Sequence, residues 1–452
     1  MIQNKILIAN RGEIALRIIR ACKELGIGCV AVYSKADEYS LHVKFADEAI
    51  CIGGADAKTS YLSMNNIISA AVSTGCNAIH PGYGFLAEND KFATIVEKCN
   101  MKFIGPNSTT MLKLSNKSVA RQIARQLGIS VAEGSDGPVS NINEAIEIAE
   151  KIGYPILIKA VSGGGGKGIS IIKDSKELNR LYDMTRHEAE ANFGNSEVYI
   201  EKYIENPHHI EVQVIADNYG NVVYLGERDC SIQRRNQKIV EEAPSPFVSK
   251  QLREELGNAA IKLAKAVGYN NLGTIEFIVD EDGKYYFIEV NTRIQVEHPV
   301  TEMITGIDLV KEQIKVAYRG ELNFTQNDIK YSGHAIECRL NAEDPNANFR
   351  PSPGLIKNLV LPGGLGVRLD THIYNNYYIP PFYDSLLAKL IIHTPTRKET
   401  IRKMRVALEQ MIIDGIKTNI EILYLIMHDI NFVRGVYDTS FLKDFLEAIK
   451  GA

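Results

Sequence analysis

The chain has no cysteine pair spaced for a metal or a redox motif. Its seven cysteines, at 22, 29, 51, 76, 99, 230 and 338, form no C-x-x-C, and their odd number and wide scatter exclude a disulfide framework. They read as reduced cytosolic thiols. No charge of one sign dominates either. Lys and Arg total 51 against 55 Asp and Glu, a net charge of -4, so whole-chain electrostatics recruits neither nucleic acid nor an acidic membrane. Long apolar runs are also missing. No window nears the roughly 20 apolar residues of a membrane span, and the opening MIQNKILIANRGE offers only a four-residue apolar run, too short for a signal peptide. There is no internal repeat and no low-complexity linker. A soluble cytoplasmic protein is the expectation, with function resting on local charge.

What is present is material for a large core: 452 residues, 45% of them hydrophobic, enough for about two to four domains. Three regions are expected, 1–114, 115–330 and 331–446, giving α/β and α+β structure. In the first, the apolar runs KILIAN, CVAVYS, EAICI, AIHP and FIGP alternate with helix-like segments such as GEIALRIIRACKELG, the βα rhythm of a parallel sheet. Its first strand-to-helix turn, ANRGE, lacks G-x-G-x-x-G, so no dinucleotide site is supported. NKSVARQIARQLG predicts a helix capped by Asn116 and ended by Gly128. Beyond a helix ending near Gly153, YPILIKA and GISIIK predict two strands joined by glycines, a mobile flap within 131–204. VYIEKYI, HIEVQVIAD and NVVYLGE predict further strands, and 249–268 a helix. A third region opens with GHAIECRLNAEDP and reaches helices at about 397 to 430.

One hairpin carries chemistry. Asp282-Gly283, between TIEFIV and YYFIEV, signals a two-residue type I′ turn, and with the turn centred there Glu276 lies directly opposite Glu289. Like charges opposed on a sheet are destabilising, by a few kcal/mol at protein-like dielectric, and a cation between them removes the penalty. Asn291 shares that face, so three oxygen ligands are offered, which suits Mg²⁺ or Mn²⁺ rather than zinc. An extended chain would carry Arg293, Gln295 and Glu297 along the same row. A strand with its polar face in water gives the same alternation; the mixture of both charge signs with amides, against a fully apolar opposite face, favours a site.

The run SGGGGKG at 162–168 fails the P-loop pattern because Ile169 follows Gly168. It remains a glycine turn whose backbone N–H groups can close on phosphates. Lys159, on the strand entering that turn, offers an ammonium to phosphate oxygens. With the acidic hairpin downstream, these describe a nucleotide held between a lid and a floor.

At this point the chain resembles a known family. ANRGEIALRI at 9–18, HPGYGFLAEN at 80–89, IKAVSGGGGKG at 158–168, EKYIENPHHIEVQV at 201–214, ERDCSIQRRNQKIVEEAPSP at 227–246, FIEVNTRIQVEHPVTEMITG at 287–306 and GHAIECRLNAEDP at 333–345 resemble the biotin carboxylases, ligases of the ATP-grasp superfamily. The resemblance implies an N-terminal biotin carboxylase domain, an ATP-grasp domain with a mobile lid, and a biotin carboxylase C-terminal domain. It implies an ATP site lined by Lys117, Lys159, Glu201, Lys202, Ile204, His209, Gln233 and Asn236, with Gly165 and Gly166 in the lid and Glu276, Glu289 and Asn291 holding Mg²⁺ or Mn²⁺. Lys238, Arg293, Gln295, Val296 and Glu297 match bicarbonate-binding positions, and Tyr83 and Arg339 match positions near biotin. The chain departs from many relatives at Asn236, where they have His, at Ser162, where they have Gly, and at Lys167, where they have Arg. Asn236 can hydrogen-bond a ribose or phosphate but carries no charge.

The implied reaction converts ATP, bicarbonate and biotin to ADP, phosphate and carboxybiotin. Glu297 would act as general base, Arg293 and Lys238 would hold bicarbonate for attack on the γ-phosphate, and Arg339 would stabilise the biotin oxygen. Structural readings stand beside these. Glu297 and Arg293 could form a bridge, although an i, i+4 pair on an extended strand lies about 13 Å apart, and Arg339, sharing a strand face with Glu337 and Asn341, could be a salt-bridged surface residue. Another ATP-grasp ligase activating a larger carboxylate, or a non-catalytic nucleotide sensor, are the alternatives. No A-M-K-M-type biotin attachment sequence occurs, so biotin is expected on a separate biotin carboxyl carrier protein. Carboxyltransferase subunits are the further partners, with acetyl-CoA the first-choice acceptor and pyruvate or propionyl-CoA open. A homodimer is implied by the family.

Overall fold

Short apolar strands alternating with helices must be covered on both faces, and the first hundred residues show this. The computed structural model describes residues 4–161 and 168–451; the expected phosphate contacts of Gly165 and Gly166 lie outside the described residues. Strands β1 (Lys5–Ile8), β2 (Gly28–Ser34), β3 (Glu48–Gly53), β4 (Ala78–His80) and β5 (Lys102–Phe103) form a parallel sheet in the order β3-β2-β1-β4-β5. Successive side chains point to opposite faces. Ile6 and Ile8 therefore pack with the helix Gly12–Glu24, whereas Leu7 packs with Ile67 and Phe92 on the other side.

The glycine-joined strands β6 (Ile156–Ala160) and β7 (Ile169–Ile172) pair antiparallel, and β8 (Val198–Lys202) completes a three-stranded sheet in the order β7-β6-β8. Helices Ile142–Ile152 and Ser175–Phe193 cover it, burying Ala149, Ile158 and Tyr182 in a core of its own.

The third sheet is antiparallel. It contains β9 (His208–Ala216), β10 (Val222–Arg234), β11 (Gln237–Ala243), β12 (Asn271–Val279), β13 (Tyr285–Asn291) and β14 (His334–Asn341), with strands Leu386–Thr394 and Val367–Thr371 beyond. The order β13-β12-β9-β10-β11-β14 continues into those last two strands, so one sheet runs through residues on both sides of position 330. Ile210, Val212, Ile275, Phe277 and Phe287 pack on one face against the helix Lys250–Val267. The opposite face carries the polar residues. Among the described residues, no helix is long and apolar enough to cross a membrane.

Two turns differ from, or add to, the sequence reading. The β12–β13 loop is one residue longer than a two-residue hairpin: Asp280 accepts from the Gly283 amide at 3.0 Å and donates its own N–H to Lys284, with Gly283 at φ +81°. This is the three-residue hairpin loop with a left-handed last residue. Phe277 consequently faces Phe287, yet Glu276 still faces Glu289, because Ile288 is an extra residue in β13. The bulge offsets the longer turn. It also flips the face, so Phe287 stays in the apolar core while Glu289 joins the polar side. Between β10 and β11, Arg234 pairs with Gln237 around Arg235 (φ +50°) and Asn236 (φ +63°), a tight turn left-handed at both central residues.

Glu242 on β11 ties the sheet to the C-terminal helices. It is 1% exposed and accepts from Arg397 Nε at 2.7 Å, Arg397 Nη2 at 2.9 Å, Tyr437 Oη at 2.5 Å and His334 Nε2 at 2.6 Å. Burial alone would raise its pKa, but Arg397 and His334 more than reverse that and hold it at about 2. A depressed carboxylate contributes stability above its unfolded value of 4.5, and this is lost as pH falls toward the folded value. Glu242→Gln is expected to cost about 3 kcal/mol at neutral pH, measured by urea unfolding, with the gap to the parent narrowing steadily once the buffer falls below pH 4.5.

Candidate active site

The alternation of β9 sends His209, Glu211 and Gln213 to the polar face, and strand order decides what they meet. Glu211 lies opposite Glu276 on β12 and opposite Arg228 on β10, while Glu276 lies opposite Glu289 on β13. A single transverse row therefore reads Glu289, Glu276, Glu211, Arg228. Glu211 and Arg228 are 0% exposed and Glu276 is 4% exposed.

Such a row requires cations. Arg228 Nη2 donates to Glu211 at 3.1 Å, and Lys117 Nζ lies 2.6 Å from Glu289. His209 Nε2 donates to Glu276 at 2.9 Å, its Nδ1 accepting from Gln233 Nε2 at 2.9 Å. Lys238 sits at the centre, its ammonium paired with Glu211, 3.3 Å from Glu276 and 2.8 Å from Glu297. Burial would lower the Lys238 pKa, but Glu276 and Glu297 more than reverse this and raise it. Burial would likewise raise Glu276, yet Lys238 and His209 hold it below the usual carboxylate range.

The chain does not stay extended after Asn291. It turns through 292–297 into the helix His298–Thr305, so the expected straight row of Arg293, Gln295 and Glu297 is replaced by a bend, and Glu297 is aimed back over the sheet. Arg293 bonds Glu88 Oε2 through Nε at 2.8 Å, Gln295 Oε1 through Nη1 at 2.6 Å and Asn291 Oδ1 through Nη2 at 3.1 Å. Asn291 and Gln295 donate to Glu276 at 2.7 and 3.1 Å. The Val296 carbonyl accepts from Lys389 at 2.9 Å. Glu297 pairs with Lys238 and with Arg339 Nη2 at 2.9 Å rather than with Arg293, and these cations overcome burial to hold its pKa well below the usual value.

Above this floor, Lys159 and Arg121 both pair with buried Glu201. Ile204 follows β8, half-buried. The Lys202 side chain turns away from this face, donating to the Gly153 and Tyr154 carbonyls at 3.0 Å each, because alternation along β8 puts it opposite Glu201. Asn236 holds the β10–β11 turn, where left-handed φ suits Asn. Tyr83 donates its hydroxyl to Glu13 at the wall of a cavity of about 140 Å³. Arg339 is no surface residue: it is largely buried and bridges Glu241, through Nε at 2.6 Å, to Glu297. Glu88, Glu211, Arg228 and Glu241 were missed by the sequence reading. The alternation of HIEVQV marks Glu211 as facing the polar side, but its partners follow only from strand order.

Family models match nearly the whole chain: the biotin carboxylase N-terminal domain over 2–111, the ATP-binding domain of the carbamoyl-phosphate synthase L chain over 116–325, and the biotin carboxylase C-terminal domain over 337–444. The chain belongs to the biotin carboxylase family. As such it is an ATP-dependent ligase that carboxylates biotin with bicarbonate. It is 55% identical over 442 residues to biotin carboxylase 1 of Bacillus subtilis, covering 98% of each chain. It is 51% identical to a pyruvate carboxylase subunit of Methanothermobacter thermautotrophicus, covering 99% of this chain and 91% of the relative. The crystallised biotin carboxylase domain dimer of Hydrogenobacter thermophilus 2-oxoglutarate carboxylase, which holds MgADP, ADP and bicarbonate, superposes with a TM-score of 0.96 at 50% identity, covering 98% and 97% of the two chains.

In this biotin carboxylase Glu211 is the acid shared by two cations. Glu211→Gln leaves Arg228 and Lys238 one carboxylate short in a buried site, and a loss of about 3 kcal/mol in urea unfolding is expected. A loss below about 1 kcal/mol would show that the acid row contributes as little as a solvated pair.

Proposed function

We propose that the acid row and the bend after β13 together activate bicarbonate and pass its carboxyl group to biotin. The observation that carries this reading is the convergence on Lys238, which touches Glu276 of the metal-type hairpin and Glu297 of the bend at once. Arg293 and Lys238 would hold bicarbonate, with Gln295 and the Val296 backbone beside it. Glu297 would take its proton as a bicarbonate oxygen bonds to the γ-phosphorus of ATP and the bond to ADP breaks. Bicarbonate entering beside Lys238 competes for that ammonium, loosens the Lys238–Glu297 pair and makes Glu297 more basic. The carboxyphosphate so formed would break its bond between carbon and the bridging oxygen, giving carbon dioxide and phosphate; Arg339 would stabilise the ureido oxygen of biotin while its N1, having lost its proton to that phosphate, bonds to the carbon dioxide, and Tyr83 lies nearby.

The nucleotide would lie over Lys117, Lys159, Glu201, His209 and Gln233, with Asn236 and Ile204 at its edge. The hard oxygen donors of Glu276, Glu289 and Asn291 fit Mg²⁺ or Mn²⁺. Bound there, the metal would neutralise phosphate charge. Lys117 is the first residue of its helix, where the backbone dipole disfavours a cation, so a strong acidic neighbour is required and Glu289 supplies it.

Biotin would arrive on a separate carrier protein and leave toward carboxyltransferase subunits, in the cytoplasm, with this chain as a homodimer. Acetyl-CoA as final acceptor is the first reading, resting on the family resemblance. Pyruvate is the second reading, favoured by the 51% identity to the pyruvate carboxylase component from Methanothermobacter. Identifying the small biotinylated protein that copurifies, and the acceptor its carboxyl group reaches, decides between them.

The central experiment is bicarbonate-dependent ADP release with free biotin. The parent protein should show it, and its absence would leave a non-catalytic nucleotide module. Arg339→Ala should lose carboxybiotin formation but retain part of the bicarbonate-dependent ATP cleavage; equal loss of both would undo the assignment of Arg339 to biotin. Glu88→Gln, which removes the charged acceptor of Arg293, should raise the KM for bicarbonate about tenfold, the effect of one charge-assisted hydrogen bond, with the KM for ATP unchanged.

A further inference from the structure

Farther along the same sheet a second pair of acids stands opposed, and here only one of the two has a cation paired with it. Glu241 on β11 and Glu337 on β14 are direct cross-strand partners, and both are 0% exposed. Opposed residues have Cβ atoms about 5 Å apart, so these carboxyl groups share one dehydrated space. Glu241 gives Oε1 to Arg339. Its Oε2 and both oxygens of Glu337 meet no hydrogen-bond donor among the described residues. An ionised carboxylate in that position is costly; a neutral acid donating to its neighbour is not.

Charge pairing leads to the same place. Arg228 pairs with Glu211, Lys238 with Glu297, Arg339 with Glu241 and Lys389 with Glu13. Glu337 has no ion-pair or hydrogen-bond partner among the described residues, and one proton would neutralise it. The charged and titratable groups that face it are Glu241 and Lys238 on β11, Arg339 on its own strand, Lys389 on the strand Leu386–Thr394, and Glu297 with His298 at the start of the helix His298–Thr305. His298 supplies no charge: burial, and then Lys389, hold its pKa well below the usual range.

We propose that Glu337 and Glu241 hold one proton in common, and that Glu337 is thereby a positioning residue. By absorbing the surplus negative charge the pair lets Arg339 stay bridged to Glu297, and lets Glu297 stay ionised to receive the bicarbonate proton. This rests on the reading of Glu297 as the base. Burial pushes Glu241 up to about 7 against the pull of Arg339; burial raises Glu337 further, with Lys389 opposing and Glu241 reinforcing the rise. Were both acids ionised, Arg339 would face a second anion two residues back on its own strand and be drawn off Glu297.

Glu337→Gln tests this, because the amide mimics the protonated acid. The infrared spectrum of the parent at neutral pH should contain the carbonyl stretch of a neutral carboxylic acid, and the variant should lack it. Bicarbonate-dependent ATP cleavage by the parent should decline at alkaline pH as the shared proton is lost; that of the variant should stay within about twofold of the parent at neutral pH and show no such decline, since the amide cannot ionise. A raised carboxyl pKa makes the parent lose stability as pH rises toward the folded value, so the variant's advantage in Tm should grow as pH rises above the unfolded value of 4.5. Should the variant not fold, carbon-13 NMR of glutamate-labelled parent protein reads the same neutral carboxyl directly. A parent spectrum without that band, or a variant weakened more than about tenfold at neutral pH, overturns the shared proton. A band in the parent with an unaltered alkaline decline in the variant overturns its link to Glu297 while the carboxyl pair itself is seen.

Discussion

The polar face of the large sheet is governed by one electrostatic constraint: three glutamates from three adjacent strands stand side by side. Two like charges about 5 Å apart at an effective dielectric near 20 repel by about 3 kcal/mol, and Glu276 has such a neighbour on each side. Backbone pairing alone cannot offset this. Much of the surrounding architecture serves to deliver positive charge to the row. The tight β10–β11 turn returns the chain so that Lys238 lies opposite Gln233 and over Glu211. The helix Lys117–Gln126 begins on a lysine despite its dipole, and Arg228 is sealed beneath, bonded also to Gln213, Thr274 and Thr301. The acid row is thus kept intact by the ammonium and guanidinium groups that pair with it.

The two acid clusters of the sheet meet the same problem differently. Glu276 has four donors on its two oxygens, from Lys238, His209, Asn291 and Gln295, and it remains ionised. Glu241 and Glu337 have only the guanidinium of Arg339 between them. Donor count, more than depth, separates them, since all are buried. Buried acids become neutral where donors are scarce and stay charged where donors are plentiful.

Strand type, helix limits and the opposed pair at the hairpin were legible in the sequence, because each follows from local periodicity, caps or turn signals. The register was reached through a compensation that local signals cannot show: the turn is one residue longer than Asp282-Gly283 suggested, and the extra Ile288 restores the pairing. Extrapolating the strand to Glu297 failed because the bend is fixed by groups from elsewhere in the chain. The direction of the Lys202 side chain, opposite to that of Glu201, follows from alternation alone. Glu211, Arg228, Glu88 and Glu241 required strand order and domain contact, which no spacing in one sequence encodes.

That bend shows why the three regions act as one. Glu88 from the parallel α/β region receives both the Thr292 amide, at 3.1 Å, and the Arg293 side chain. Lys389, from the C-terminal region, holds the Val296 carbonyl and also reaches Glu13, 3.1 Å away in the first region. Lys238 and Arg339 then take Glu297 from two further strands. A segment of six residues without regular structure is fixed at four points by partners more than forty residues away in sequence. Freed of any one, it could straighten toward the extended form its alternation suggests, carrying Glu297 away from Lys238. The placement of Glu297 is therefore a property of the assembled regions, and the parallel domain, though it contributes no residue to the acid row, determines where that carboxylate can stand.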